Sequence, residues 1–207
     1  PCDEEFILSS TGALELSKLP KSIAIVGGGY IGLELGCAMA KLGSDVTIIE
    51  GMDSILDIMD KEIRRPLEIW LKRQGVEVHT NTLAKGSEIK GSGASRKVEL
   101  TFEKDGSEHK LKVDKIFVTV GRKPNTKGWG LENTGVRMDG SGRFIRTDRQ
   151  CRTSVPGVYA IGDVSGEPML AHKASAEGEM VAEIIAGHKR GFDKVAIPAI
   201  VFTEPEI

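Results

Sequence analysis

Six residues near the start of the chain have the types and spacing to hold a phosphate. Gly27, Gly28, Gly29, Tyr30, Ile31 and Gly32 fit G-x-G-x-x-G. The pattern alone is weak. It gains meaning between a strand and a helix, with an acidic residue at the end of the next strand. Here a short apolar, β-branched run at 22–26 leads straight into the glycines. Apolar positions then recur at helical spacing from Tyr30 to Leu42, Gly43 supplies a stop, and a second apolar run over 45–50 ends on Glu50, 23 residues after Gly27. In that setting Gly27 makes the tight turn, Gly29 lets backbone N–H groups approach a pyrophosphate at the helix N-terminus, and Gly32 lets helix and strand pack closely. Glu50 is placed to accept hydrogen bonds from ribose hydroxyls. A carboxylate there repels a 2′-phosphate, so the expected nucleotide is NAD and not NADP.

A second candidate lies about 130 residues further on. The run 158–161 reads as a short buried strand that ends in Gly162 and Asp163, ahead of a helix start near Met169. From the residues alone two readings of Asp163 stay open. It could be a ligand for sugar or ribityl hydroxyls, or a turn or helix-capping aspartate. No metal site is expected, because Cys2, Cys37 and Cys151 are far apart and form no zinc-type spacing. Isolated structural thiols in a reducing compartment are the expectation for them.

The elements that must position these residues read as α/β. Phe6 to Leu8 suggests a short strand, with 9–12 as a turn or strand end. The 22–50 stretch is a βαβ unit. Asp60 is placed to cap a helix through Ile63, Leu67, Trp70 and Leu71, with Pro66 awkwardly inside it. A strand at 76–79 follows, and three alternating stretches between about 82 and 113 read as an antiparallel meander with Gly/Ser turns. Residues 115–120 form a strand entering Gly121. Residues 126–150 are loop-rich, a helix runs from Leu170 to Ala186, and 193 onward (Val195, Ile197, Ile200, Val201, Phe202) opens a new β element.

Composition limits what this can be. The 28 Lys+Arg against 30 Asp+Glu exclude a nucleic-acid binder working by bulk charge. Hydrophobic residues at 40% and charged ones at 28% argue for a folded chain. Glycine, 25 of 207, is well above the usual roughly 7%, as expected where backbone approaches a ligand. No apolar run reaches the roughly 18 residues of a membrane span, so no membrane partner is expected. The acidic amino terminus, without Met or an apolar signal segment, reads as part of something longer.

Six stretches in order carry a resemblance: 9–14 (SSTGAL), 27–36 (GGGYIGLELG), 121–125 (GRKPN), 153–164 (TSVPGVYAIGDV), 168–174 (PMLAHKA) and 202–207 (FTEPEI). Together they resemble the flavin-dependent pyridine nucleotide-disulfide oxidoreductases, and among them the dihydrolipoamide dehydrogenase family. The resemblance implies a Rossmann-like NAD-binding βαβ domain with an antiparallel β-meander, followed by the second segment of an FAD-binding domain. It implies boundaries at 1–18 (end of a first FAD segment), 19–122 (NAD domain), 123–192 (second FAD segment) and 193–207 (start of a dimer-interface domain).

The resemblance also assigns residues. Gly27 through Glu34, including Leu33, together with Glu50, Ala84 and Gly121, fall on NAD-contacting positions. Glu34 falls near the nicotinamide and flavin N5 in a supporting role, and Tyr30 is either a lid over the nicotinamide or a packing residue. Asp163 falls on the FAD ribityl and pyrophosphate ligand. Met169, Leu170, Ala171 and His172 open a helix whose N–H groups face the flavin ring, the His172 contact being through backbone. FAD and NAD are the implied cofactors. The implied partners are dihydrolipoamide on a lipoyl domain of a 2-oxoacid dehydrogenase or glycine cleavage complex and a second copy of the chain. The implied location is cytoplasmic, or the mitochondrial matrix in a eukaryote.

The family's reaction also needs a CxxxxC redox disulfide and a His–Glu base pair, and neither is in this sequence. No catalytic residue is therefore expected here, and turnover by this chain alone is not expected. The alternatives are a non-catalytic NAD-binding module and another family member, mercuric or glutathione reductase-like.

Overall fold

The computed structural model describes residues 2–192 and 196–207. Strand β1 (Ile7–Leu8) is followed by a short helix α1 (Ser10–Leu14), then β2 (Ser22–Val26), α2 (Tyr30–Leu42), β3 (Asp45–Ile49), α3 (Lys61–Arg73) and β4 (Glu77–His79). Three strands, β5 (Thr82–Lys90), β6 (Lys97–Lys104) and β7 (Ser107–Val113), lead to β8 (Lys115–Val118). The last helix is α4 (Ala171–Ile185). The chain divides into two compact units, residues 1–121 with 200–207, and residues 122–199.

In the first unit a parallel sheet runs β1-β8-β2-β3-β4, and β5-β6-β7 form a separate antiparallel sheet. The period-2 alternation of β2 decides what covers each face. Ile23 and Ile25 join Leu33 and Cys37 of α2, Leu67 and Leu71 of α3, and Phe117 in one core. Ala24 faces the other way, into Val98, Leu100, Phe102 and Val113 of the meander, with Ile49 and Ile116. Both faces of β2 are covered, which is why it reads as a continuous apolar run and not as an alternating one.

The chain leaves β2 toward β3 and reaches the other neighbour, β8, only after the meander. Strand order therefore reverses at β2, and the crevice beyond its carboxyl end is where open α/β sheets bind ligands. The segment 200–207 belongs to this unit. Val201 is buried in the helix-side core and Ile207 packs against it. Lys41 pairs with Glu204 at 2.8 Å.

Residues 122–199 hold two smaller cores. Leu131, Ile145 and Ala160 form one, and Cys151, Met180, Val181 and Ile184 of α4 form the other.

Four local expectations need correction. Residues 9–12 are not a turn or strand end: Ser9 caps α1, its Oγ accepting the Gly12 N–H at 3.3 Å. Asp60 occupies the N-cap of α3 but its side chain makes no capping bond. Residues 158–161 are not a strand, because Tyr159 bridges only to Arg152 and a strand requires a longer ladder. Among the described residues from 196 onward there is no strand either. The Val201 and Ile207 N–H groups donate to each other's carbonyls at 2.7 and 3.0 Å, closing a loop in place of extending. Asp193 and Val195 lie outside the described residues. Helix α3 continues through Pro66, held by Leu67 and Leu71, which are fully buried.

Candidate functional site

The glycine turn is shaped by what stands behind it. Gly27 has φ +108, and a Cβ there would lie 2.6 Å from the Thr119 carbonyl oxygen. Both the left-handed backbone and the contact require glycine. A Cβ on Gly32 would run into the Gly27 carbonyl and stand 2.6 Å from Thr119 Oγ1, so α2 crosses β2 at a distance only glycine allows. Thr119, just past β8, donates its hydroxyl to the carbonyls of Val26 and Gly27 at 3.1 and 3.0 Å. It buttresses the turn from the neighbouring strand. Sequence reasoning read Thr119 only as part of a strand, and its one visible signal was a hydroxyl at the end of an apolar run.

Gly29 differs from both. It is the N-cap of α2, in extended conformation, and nothing lies within 4 Å of a Cβ built on it. The Gly29 and Ile31 N–H groups have no acceptor among the described residues. An exposed helix start with open space and unpaired donors is an anion site by geometry and by dipole.

Glu50, half-buried one residue beyond β3, stands beside this opening. Its Oε2 accepts the Gly28 N–H and its Oε1 accepts the Met52 N–H at 2.7 Å. The carboxylate is thus fixed by the turn it would serve, with further lone pairs available to hydroxyl donors. Leu56 N–H donates to the Gly28 carbonyl at 3.0 Å, tying the 51–59 loop to the same turn.

The other candidates in this unit attach nearby. Thr82 N–H donates to the Glu50 carbonyl at 2.9 Å, and exposed Ala84 follows two residues along β5, opposite Phe102. Gly121, φ +125, follows Thr119 by two residues. Leu33 is fully buried in the core. Tyr30 and Ile31 are half-buried at the helix start, and Tyr30 packs against the helix-side core. Glu34 Oε1 accepts the Phe202 N–H at 3.0 Å, a partner that the spacing of the glycine motif gave no reason to expect. A dinucleotide fits these residues: the open turn supplies donors for its phosphates and Glu50 an acceptor for its ribose.

In the second unit Asp163 sits in a short 3-10 turn, partly exposed, with Arg122 Nη2 at 3.5 Å from Oδ2. Helix α4 begins at Ala171, with Leu170 as its N-cap and no side-chain capping bond. Met169 therefore precedes the helix and does not open it. His172 Nε2 contacts the Pro198 carbonyl at 2.7 Å. A carboxylate reachable from solvent and an uncapped helix start suit the hydroxyls and electronegative atoms of a flavin nucleotide.

Sequence reasoning missed Lys173 and Glu177, which are buried behind Asp163 and bond to its turn. The signal was there. The buried face of α4 is Lys173, Glu177, Met180, Val181 and Ile184, so two charges occupy positions of an apolar stripe. Among the described residues no cluster of His, Cys, Asp or Glu could hold a metal, and no helix is long and apolar enough to cross a membrane.

A parallel sheet with a glycine turn at its switch point, a carboxylate at the end of the next strand and an attached meander defines a nucleotide-binding α/β protein. Residues 2–178 match the family described as pyridine nucleotide-disulphide oxidoreductase, and the chain belongs to that family. It is similar to the dihydrolipoyl dehydrogenases of Geobacillus stearothermophilus (51% identical, 97% of this chain and 42% of the relative) and Bacillus subtilis strain 168 (48%, 98% and 42%). Among solved structures it is similar to LpdA of Mycobacterium tuberculosis, with TM-score 0.83 and 31% identity over 99% of this chain and 43% of that one. It is also similar to the HOCl-induced flavoprotein disulfide reductase RclA of Escherichia coli, with TM-score 0.84 and 28% identity over 100% of this chain and 45% of that one. The chain thus spans less than half the length of these relatives.

Proposed function

We propose that this chain is the nicotinamide-nucleotide-binding part, with half of the flavin site, of an NAD-dependent dihydrolipoyl dehydrogenase. In the net reaction a dithiol, dihydrolipoamide, becomes a cyclic disulfide while NAD⁺ takes up a hydride and one proton is released. FAD and NAD, when bound, supply the hydride chemistry. The chain's own residues bind and orient. The Gly27–Gly29 turn and the first N–H groups of α2 hold the NAD pyrophosphate, Glu50 takes the adenosine ribose hydroxyls, and Ala84 and Gly121 line the same nucleotide. Glu34 stands one helical turn further along, toward the nicotinamide end. Asp163 takes flavin-nucleotide hydroxyls, and the N–H groups at the start of α4 favour negative charge on the flavin ring.

The domain reading goes with this. Residues 19–122 form the NAD domain, 123–192 contribute the second FAD segment, and 1–18 and 193–207 belong to the flanking FAD and dimer-interface regions. The intact protein is then a homodimer of the cytoplasm, or of the mitochondrial matrix, serving lipoyl domains. The redox disulfide and the base pair lie outside this sequence, so this chain alone is not expected to oxidise dihydrolipoamide. Identities of 51% and 48% to dihydrolipoyl dehydrogenases, against 28% to the disulfide reductase RclA, favour the lipoamide substrate over other disulfides.

The observation that carries the reading is Glu50, fixed by the Gly28 N–H at the mouth of an open glycine turn. Calorimetric titration of the 207-residue chain should find NAD bound more tightly than NADP. Glu50→Arg should weaken NAD and improve NADP, because a guanidinium pairs with a 2′-phosphate that a carboxylate repels. An unchanged preference in that variant would remove Glu50 from the role.

A further inference from the structure

Behind Asp163 lies an ion pair that neither nucleotide site uses directly. Lys173 and Glu177 stand four residues apart on α4, each 5% exposed, with Nζ 3.5 Å from Oε1. Charges removed from water to this degree are tolerated only when paired and hydrogen-bonded. What satisfies them is one short piece of backbone. Lys173 Nζ donates to the Gly162 carbonyl at 3.2 Å and to the Gly166 carbonyl at 2.8 Å. These two carbonyls take two of its three hydrogens, and the Glu177 carboxylate supplies the counter-charge. Glu177 Oε2 accepts the Gly162 N–H at 2.6 Å, and Ser165 Oγ closes the turn onto the Gly162 carbonyl at 2.8 Å.

The pair therefore grips both ends of the turn at 162–166. Asp163 lies between the gripped ends and takes part in none of these bonds. Its carboxylate faces Arg122, at 3.5 Å, and its side chain is 36% exposed. The turn also has no slack on its inner side, where a Cβ on Gly162 would meet the Ala174 Cβ at 2.9 Å.

We propose that Lys173 and Glu177 are positioning residues, a buried ionic clamp that fixes the 162–166 turn so that the Asp163 carboxylate is held ready for the hydroxyls of a flavin nucleotide. This rests on the flavin reading of Asp163. The clamp itself is independent of that reading, and the two can fail separately.

The test uses the 207-residue chain. Removing one charge would strand the other, so the informative variant is the double substitution Lys173→Met with Glu177→Gln, which keeps both shapes and leaves no uncompensated charge buried. Hydrogen exchange read by mass spectrometry should show the 162–166 amides exchanging about tenfold faster, the equivalent of one lost hydrogen bond to a charged group. Exchange in α2 and NAD affinity should stay at wild-type values. FAD affinity, read by flavin fluorescence, should fall by a similar factor, which a purely structural role would not separate from NAD affinity. Lys173→Gln with Glu177→Gln, which keeps a hydrogen-bonding group at each position and again leaves no unpaired charge buried, gives a milder version of the same comparison should the first double variant lose α4.

Unchanged exchange at 162–166 in a folded variant would overturn the clamp. Faster exchange with undiminished FAD binding, while Asp163→Asn does weaken FAD, would overturn its role in positioning. An Asp163→Asn chain that binds FAD like the wild type would instead sink the flavin reading and leave the clamp standing as a structural device.

Discussion

Two glycines three residues apart do opposite jobs, and a methyl group tells them apart. At Gly32 the space is taken by the Gly27 carbonyl and Thr119. Gly32→Ala must push α2 away from β2, and overpacking of this kind costs about 1–3 kcal/mol. At Gly29 the φ is −78 and no atom lies within 4 Å of a Cβ, so alanine there meets nothing in the protein. It does occupy the space left for phosphate. Thermal denaturation and NAD titration of the two variants should therefore dissociate. Gly32→Ala lowers the midpoint by several degrees, whereas Gly29→Ala keeps the midpoint and loses NAD affinity. A Gly29→Ala chain with wild-type affinity would show that no phosphate approaches there. Glu50 belongs to the same group of residues, and its spacing from Gly27 was legible in the sequence. Its two backbone donors were not, because no periodicity encodes the Met52 and Gly28 N–H groups that hold it.

The elements on the sheet are pinned by a carboxylate between strands. Asp114, in the connection from β7 to β8, accepts the N–H groups of Lys21 and Ser22 at 2.9 and 3.0 Å, and Lys97 Nζ stands 3.1 Å from its other oxygen. It joins the start of β2 to β6 and β8. Burial pushes its pKa up, but the Lys97 contact and the Ser22 and Lys21 N–H groups outweigh it and leave the carboxyl below its ordinary 3.8. A folded pKa below the unfolded one gives stability that is fully present above the unfolded value and is lost as pH falls through the folded value. Asp114→Asn should cost about 1.5–3 kcal/mol at pH 7, the range for hydrogen bonds to a charged group. It should also flatten the acid limb of a stability–pH curve below about pH 4. An equally steep acid limb in the variant would assign the effect to other carboxylates.

At this scale the sequence was a good guide where periodicity has one cause. The runs 22–26 and 45–49 are short apolar strands packed between two cores, and 30–42 is a helix with one buried face that Gly43 closes, so pattern and structure agree. It misled where a segment depends on partners not adjacent in sequence. Residues 158–161 are apolar enough for a strand but have only Arg152 to pair with. Residues 9–14 carry a serine cap whose effect outweighs a β-like neighbourhood. Lys173 and Glu177 were legible as misplaced charges on an apolar stripe, but their purpose was not, since the turn they hold lies 7 to 15 residues away across a bend.

Across the whole molecule the buried thiols offer one reporter in each compact unit. Cys37 lies on α2 in the unit of residues 1–121 and 200–207, and Cys151 lies in the unit of 122–199. Both are 3% exposed, whereas Cys2 is exposed. Burial pushes the Cys37 thiol up, and pushes Cys151 up to about 11 with Glu177 adding to it. The thiolate is the reactive species, so neither buried cysteine should be alkylated until its unit opens, and each rate then follows the open population of its own surroundings. NAD at about 100 times its dissociation constant stabilises what it binds by about 2.7 kcal/mol, a factor of about 100 in that population. If the nucleotide sits on the Gly27 turn, pulse alkylation with mass readout should find Cys37 about 100-fold slower with NAD present, Cys151 unchanged and Cys2 fast throughout. Slowing of both buried cysteines alike, or of Cys151 alone, would deny that the first unit by itself carries the NAD site.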